Sequence, residues 1–170
     1  MQDQEQLTLR PKRLPGPKPT FKPYRVPRYR LTLVAESSGL TSSEAIQTSV
    51  AAASLLRPCF EGLDREQFLV CGLDAKHRII GINIVSIGSL TLAIVHPREV
   101  FREATRGGAA AIVLFHNHPS GDPTPSDDDV ALTERLVRAG QLMGIDVIDH
   151  LILAETRYCS MKEMNRLELP

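Results

Sequence analysis

An α/β domain, with a mixed sheet lying between helices, is the fold class this sequence predicts. Three observations lead there. Apolar runs of strand length alternate with amphipathic stretches of helix length, and two of the strand runs lie close enough to form a hairpin. Ala110 to Phe115 is a continuous apolar run, the pattern of a strand buried on both faces. At 170 residues, with hydrophobic residues at 42% and charged residues at 24%, the chain has room for one such domain plus a tail. That composition excludes a wholly disordered or collagen-like polymer.

Residues 1–28 read as an extended or disordered arm ahead of the domain. Six of the twelve prolines fall between Pro11 and Pro27. Each fixes φ and removes a donor, so the stretch sustains neither a helix nor a central strand. The formal charge of zero hides a split: residues 1–30 carry eight basic side chains against Asp3 and Glu5, a net of +6, and the other 140 residues hold 12 basic and 18 acidic groups, a net of −6. Phe21, Tyr24 and Tyr29 lie among the basic residues. That mixture suits stacking on bases with charges on phosphates, making nucleic acid a candidate partner through residues 10–30. It equally suits a solvated tail, or one docked on the acidic core.

The domain is expected over residues 29–170. Arg30-Leu31-Thr32-Leu33 alternates like a strand, and Thr41-Ser-Ser-Glu44 has capping-box spacing. The helix it opens would present Ile46, Val50 and Ala53 on one face and stop before Pro58. Gln67–Leu73 and Arg78–Ile87 read as a hairpin around Asp74–His77, and Leu90–Val95 as a third strand. Pro97 suits the first turn of a helix through Arg106, which Gly107-Gly108 ends. After the buried strand at Ala110–Phe115, Ser126 opens a helix carrying Leu132, Leu136 and Val137 that fades around Gly140–Gly144. Val147–Leu153 is another apolar strand, and Ser160-Met-Lys-Glu163 repeats the capping-box spacing at an expected short final helix.

Cys59, Cys71 and Cys159 form no CxxC pair and leave one cysteine over in any disulfide scheme, which fits a reducing, cytoplasmic compartment. The N-terminus shows no apolar stretch before a cleavage site. Ile79 to Val95 lacks charge over 17 residues. It falls short of the ~20 apolar residues of a membrane helix, and Asn83, Ser86, Gly88, Ser89 and Thr91 interrupt it, so no membrane is expected as a partner.

The chemistry concentrates in His116 to Asp129. On a strand, residues two apart share a face, so His116 and His118 converge at the end of the buried strand, where sheets deliver side chains to crevices. Pro119, Gly121, Pro123 and Pro125 stiffen the loop that follows, and Ser126 to Asp129 form a helical first turn. Two imidazoles and one carboxylate would give Zn²⁺ three ligands and leave a fourth position for water. Each piece has a plainer account: an isolated HxH is weak, and any helix N-terminus favours Ser126 and acidic residues.

The spacing His116-x-His118-x7-Ser126-x2-Asp129 resembles the metal motif of the JAMM, or JAB/MPN-type, metalloproteases. The wider string HNHPSGDPTPS looks like the RadC family, long associated with DNA repair. The resemblance covers roughly Tyr29 to Leu167 and includes Arg65–Phe68, Val85–Ser89, His96–Glu99 and Asp149–Ile152. The helical DNA-binding segment often found ahead of this domain in RadC proteins has no counterpart in the chain, which looks like the stand-alone form. The resemblance implies a cytidine-deaminase-like α/β/α sandwich. It implies one Zn²⁺ per chain on His116, His118 and Asp129, with Glu66 as the group that takes a proton from the attacking water and Ser126 as a donor to the developing oxyanion. Ser120 and Asp122 lie in the loop over the metal, as substrate contacts or simply as turn formers. His150 is read either as a group behind the ligands or as a core histidine satisfied by hydrogen bonds. His77 and His96 are read as structural, and Cys71 as a strand residue without metal partners.

The leading functional expectation is a zinc hydrolase acting on a peptide, isopeptide or related amide bond. The alternatives are a DNA repair-associated nucleic-acid-binding or processing protein using the basic arm, and a metal-bearing scaffold without turnover. A nucleoside-type deaminase shares the fold class, but its PCxxC metal motif is missing.

Overall fold

The computed structural model describes residues 45–88 and 95–167. The described elements run α1 (Ser49–Leu56), a short 3-10 turn (Arg57–Phe60), β1 (Gln67–Leu73), β2 (Ile79–Ile87), α2 (Pro97–Gly107), β3 (Ala111–Asn117), α3 (Asp127–Met143), β4 (Asp146–Leu153) and β5 (Tyr158–Ser160). The five strands form one sheet in the order β2-β1-β3-β4-β5. β3 and β4 run parallel across the α3 crossover, and the other pairs are antiparallel. The sheet is therefore mixed.

Strand alternation divides the core into two layers. Phe68, Val70, Ile112 and Leu114 meet Val100, Phe101 and Ala104 of α2 and Leu132 and Leu136 of α3. The intervening residues Leu69, Cys71, Leu73, Val113 and Phe115 point the other way, onto Ala52, Ala53 and Leu56 of α1 and onto Phe60. β3 is buried at every one of its positions, as expected of a central strand covered by helices on both sides. No described helix is long and apolar enough to cross a membrane.

The helix punctuation follows local chemistry. Gly108 and Gly144 adopt left-handed φ values of 69° and 67° and end α2 and α3. In each case the next residue's amide reaches back five positions, Ala109 to the Ala104 carbonyl and Ile145 to that of Gly140. α3 begins at Ser126 with a reciprocal capping box to Asp129.

Three expectations change. Helix α1 starts at Ser49, capped by Thr48, whose side chain accepts from the Ala51 amide at 3.1 Å. Residues 45–47 are not helical, since the Ile46 amide donates to the His77 carbonyl at 2.9 Å and ties this segment to the hairpin turn. Val50, expected on the buried face, is 56% exposed, while Ala52, Ala53 and Leu56 face the core. Ser160–Glu163 does not open a helix. Ser160 closes strand β5 opposite Leu151, its hydroxyl does accept from the Glu163 amide, but the chain turns only once before Asn165 at φ 55°. The arm at 1–28, the strand at Arg30–Leu33, the Thr41–Glu44 box and nearly all of the Leu90–Val95 strand lie outside the described residues.

Gly140 sits where α3 crosses closest to its own exit. A Cβ there would stand 2.5 Å from the Ile145 carbonyl oxygen and 3.3 Å from Phe101 Cζ. Ala gains about 1 kcal/mol of helix propensity over Gly, but a backbone oxygen cannot rotate away and overpacking costs roughly 1–3 kcal/mol. Gly140→Ala is expected to lower the free energy of unfolding in urea; an unchanged or raised midpoint would show that α3 can shift.

Candidate metal centre

The alternation that sends Ile112 and Leu114 toward α3 also sends His116 there, at the C-terminal end of β3. His118 lies one residue beyond the strand, but its amide donates to the Leu153 carbonyl at 2.8 Å and continues the pairing with β4. The loop then turns through Gly121, at φ 83°, and returns to the first turn of α3. There Asp129 Oδ2 accepts from the Ser126 amide at 2.8 Å and from the Ser126 hydroxyl at 2.5 Å. The capping box thus fixes the carboxylate and aims it back at the strand end. His116 Nε2 lies 3.3 Å from Asp129 Oδ1, and His118 Nε2 lies 3.7 Å from Oδ2 and 2.9 Å from His116 Nε2.

These three residues offer one ligand atom each, all within 4.8 Å of one another. The donor set suits a divalent metal of the zinc type: two imidazole nitrogens and one carboxylate oxygen. His118 is also turned correctly for ligation. Its Nδ1 lies 2.8 Å from the Asp122 carbonyl, which can only accept, so Nδ1 carries the hydrogen and the neutral ring leaves Nε2 bare. Behind His116, its Nδ1 lies 2.8 Å from His150 Nε2, and His150 Nδ1 lies 2.6 Å from Thr133 Oγ1. Phe68 stacks on His116 and meets His150 edge-on, closing the apolar wall.

Residues 46–167 match the RadC-like JAB domain as one continuous unit. The chain belongs to the RadC-like JAB domain family. Similar proteins include a UPF0758 protein of Moorella thermoacetica, 52% identical over 68% of this chain and 50% of that protein. One from Desulfitobacterium hafniense is 42% identical over 82% of this chain and 68% of the relative. Another, from Caldanaerobacter subterraneus, is 46% identical over 80% of this chain and 56% of the relative. The chain thus spans between half and about two thirds of the length of these relatives.

Within this JAB domain the other expected residues fall at different distances from the cluster. Glu66 immediately precedes β1, two residues before Phe68, which pairs with His116 in the sheet. Its charge is felt at the His118 ring. Ser126 donates its hydroxyl hydrogen to Asp129, so its first role is to hold that carboxylate. Asp122 acts through its backbone carbonyl on His118, and its carboxylate accepts from the Thr124 amide and hydroxyl to shape the turn. Ser120 lines a cavity of about 500 Å³ beside His118, together with Phe60, Leu63, Asn117 and Leu153. His150 lies wholly buried against His116.

Two contributors went unnoticed in the sequence. Thr133 is a fully buried hydroxyl among the apolar side chains of α3, four residues after Asp129. A lone polar residue in an apolar stripe is the one signal that could have found it. Asn117 points away from its flanking histidines; its Oδ1 accepts from the Gln67 amide at 2.7 Å and its Nδ2 donates to the Arg65 carbonyl at 3.1 Å. With the Gly88 amide donating to the Glu66 carbonyl at 2.8 Å, it clamps the segment carrying Glu66. Nothing in its neighbourhood along the chain signals that task.

Burial first, and the neighbouring His150 second, push the His116 imidazole well below its ordinary value. Burial likewise lowers His150 to about 4. His118 moves up because Asp129 faces it; at 3.7 Å that contact exceeds hydrogen-bond length, so we attribute the pull to charge. Burial alone would raise the Asp129 carboxyl, but His118, His116 and the Ser126 hydroxyl and amide together hold it far below the usual range.

These shifts set a pH dependence for protein stripped of metal. His150 is bound neutral, so the unfolded chain takes up more protons once pH drops below its ordinary value of about 6.5. Its contribution is present above that value and lost as pH falls toward 4, on the order of 3 kcal/mol in all. His118 runs the other way, adding stability below its unfolded value that is lost as pH rises through its raised one. His116 and His150 both move down and His118 alone of the three moves up, so urea denaturation should show stability declining from pH 6.5 to 4. A flat profile would mean that His118 offsets the buried pair.

Proposed function

We propose that this chain is a metal-dependent hydrolase of the JAMM type, cleaving a peptide, isopeptide or related amide bond. The observation that supports it most is that, among the described residues, three protein ligand atoms converge, His116 Nε2, His118 Nε2 and an Asp129 oxygen, beside a cavity at His118. A structural zinc site is normally closed by four protein ligands, whereas a catalytic site keeps one position for water. Bound there, Zn²⁺ would supply a Lewis acid and lower the pKa of a coordinated water to about 7.

The chain's own residues then carry the proton and charge traffic. Glu66, near His118 but not among the three converging residues, accepts a proton from the attacking water. The water oxygen bonds to the carbonyl carbon, the carbon–nitrogen bond breaks, and Glu66 returns the proton to the departing amine. Ser126 would donate to the developing oxyanion by turning its hydroxyl away from Asp129, which keeps its bond from the Ser126 amide. Ser120 and the cavity wall of Phe60 and Leu63 would contact the substrate chain.

Elemental analysis of protein kept free of chelator should find one zinc per chain, and His116→Ala or His118→Ala should lose it. A peptide and isopeptide library supplies the substrate. Glu66→Gln keeps shape and hydrogen bonding but cannot accept the proton, so zinc should stay and turnover should fall roughly 10²–10⁴-fold. Undiminished turnover in that variant overturns the mechanism. Loss of zinc would instead make Glu66 a ligand.

A further inference from the structure

The buried hydroxyl of Thr133 and the ring of His150 form a hydrogen-bonded chain whose direction can be assigned one hydrogen at a time. Thr133 Oγ1 lies 2.6 Å from the Asp129 carbonyl, which can only accept, so the single hydroxyl hydrogen goes there. Thr133 Oγ1 also lies 2.6 Å from His150 Nδ1. With its hydrogen committed, the oxygen accepts, and His150 Nδ1 carries a hydrogen. His150 is wholly buried, which disfavours its cation, so the neutral ring leaves Nε2 bare. That nitrogen, 2.8 Å from His116 Nδ1, accepts in turn, and His116 Nδ1 carries the next hydrogen.

His116 Nε2 is therefore a lone pair aimed at Asp129 Oδ1, 3.3 Å away. The chain starts and ends on the same residue: the Asp129 carbonyl anchors it, and the Asp129 carboxylate faces its other end. Reversing the chain is the informative alternative. If Thr133 gave its hydrogen to His150 Nδ1, His150 would donate to His116 and place a hydrogen on His116 Nε2, pointing into the cluster and blocking ligation. His118 is fixed separately, through the Asp122 carbonyl. The two Nε2 atoms, 2.9 Å apart, then both present lone pairs with no hydrogen between them.

We propose that Thr133 and His150 are positioning residues that lock His116 in the tautomer bearing hydrogen on Nδ1, so that its Nε2 is permanently ready to bind a cation. The proposal builds on the metal reading above and deepens it. A core histidine that merely satisfies its hydrogen bonds would tolerate either direction of the chain; a positioning role tolerates one.

The test uses the whole 170-residue chain with ¹⁵N-labelled histidine, stripped of metal, at pH 8, where nitrogen shifts and two-bond couplings show which ring nitrogen carries hydrogen. Wild-type His116 and His118 should both show Nδ1–H. Thr133→Val keeps the side chain's shape but removes the hydroxyl, and should let His116 populate Nε2–H while His118 stays unchanged. Zinc affinity, read by competition with a chromogenic chelator, should fall about 10- to 100-fold. Thr133→Ser restores the hydroxyl and should bind within about threefold of wild type. Wild-type His116 bearing Nε2–H overturns the proposal without any variant, and so does Thr133→Val with tautomer and zinc affinity unchanged. If wild type takes up no zinc but the tautomers behave as stated, the positioning chain stands and the metal reading falls.

Discussion

Burying three polar side chains and a carboxylate together at the end of a β-strand is tolerable only if every donor meets an acceptor. His116, His150 and Thr133 are each fully buried and Asp129 nearly so; the hydrogens on Thr133 Oγ1, His150 Nδ1 and His116 Nδ1 each meet an acceptor, and the His116 Nε2 lone pair faces Asp129 and His118. An unpaired group there would cost about 1–3 kcal/mol, and several would offset much of a domain's marginal stability. This requirement is what fixes the geometry. The strand row supplies the two histidines, the α3 cap supplies the carboxylate, and the remaining atoms must fall where the hydrogens require.

The surrounding fold protects that arrangement from both sides. Asp149, next to His150 in β4, is itself buried and accepts from the Ser49 and Ser160 hydroxyls and from the His150 and Lys162 amides. One carboxylate therefore joins the start of α1, strands β4 and β5, and the turn that follows. On the other flank, Arg57 donates to the Ala154 and Glu155 carbonyls at 2.6 and 2.7 Å and holds the β4–β5 turn at the cavity's edge. Arg157 in that turn donates to the Gly121 carbonyl, linking it to the loop after His118.

What could be read from the chain and what could not divide along physical lines. The buried β3, the glycine-terminated helices and the Ser126–Asp129 cap rest on residues adjacent or within one helical turn, so their patterns are visible in sequence. The convergence of His116 and His118 on the first turn of α3 was legible from the two-residue strand period and the cap spacing, while the choice of Asp129 among that turn's three aspartates came from the family resemblance. Asn117 was not legible and Thr133 only as a lone hydroxyl in an apolar stripe: the contacts that give them their tasks, to Arg65 and Gln67 and to His150, lie on other segments and sequence distance conceals them. The start of α1 was misplaced for the same reason. Ile46 answers to the His77 carbonyl, a long-range bond that outweighs the local helical pattern. At Ser160 the capping hydrogen bond formed, but strand pairing with β4 decided the backbone.

The Ser126–Asp129 capping box has one more consequence. The same carboxylate that faces the two histidines also starts the longest described helix. Losing Asp129 would therefore unseat a structural element as well as a candidate ligand, and losing His116 would open a void beside Phe68. His118, only partly buried at the rim of the cluster, has a smaller duty to the core. Substituting His118 should therefore disturb the architecture less than substituting Asp129 or His116. The aspartate and the inner histidine are thus bound into the architecture, and the outer histidine is tied to it more loosely.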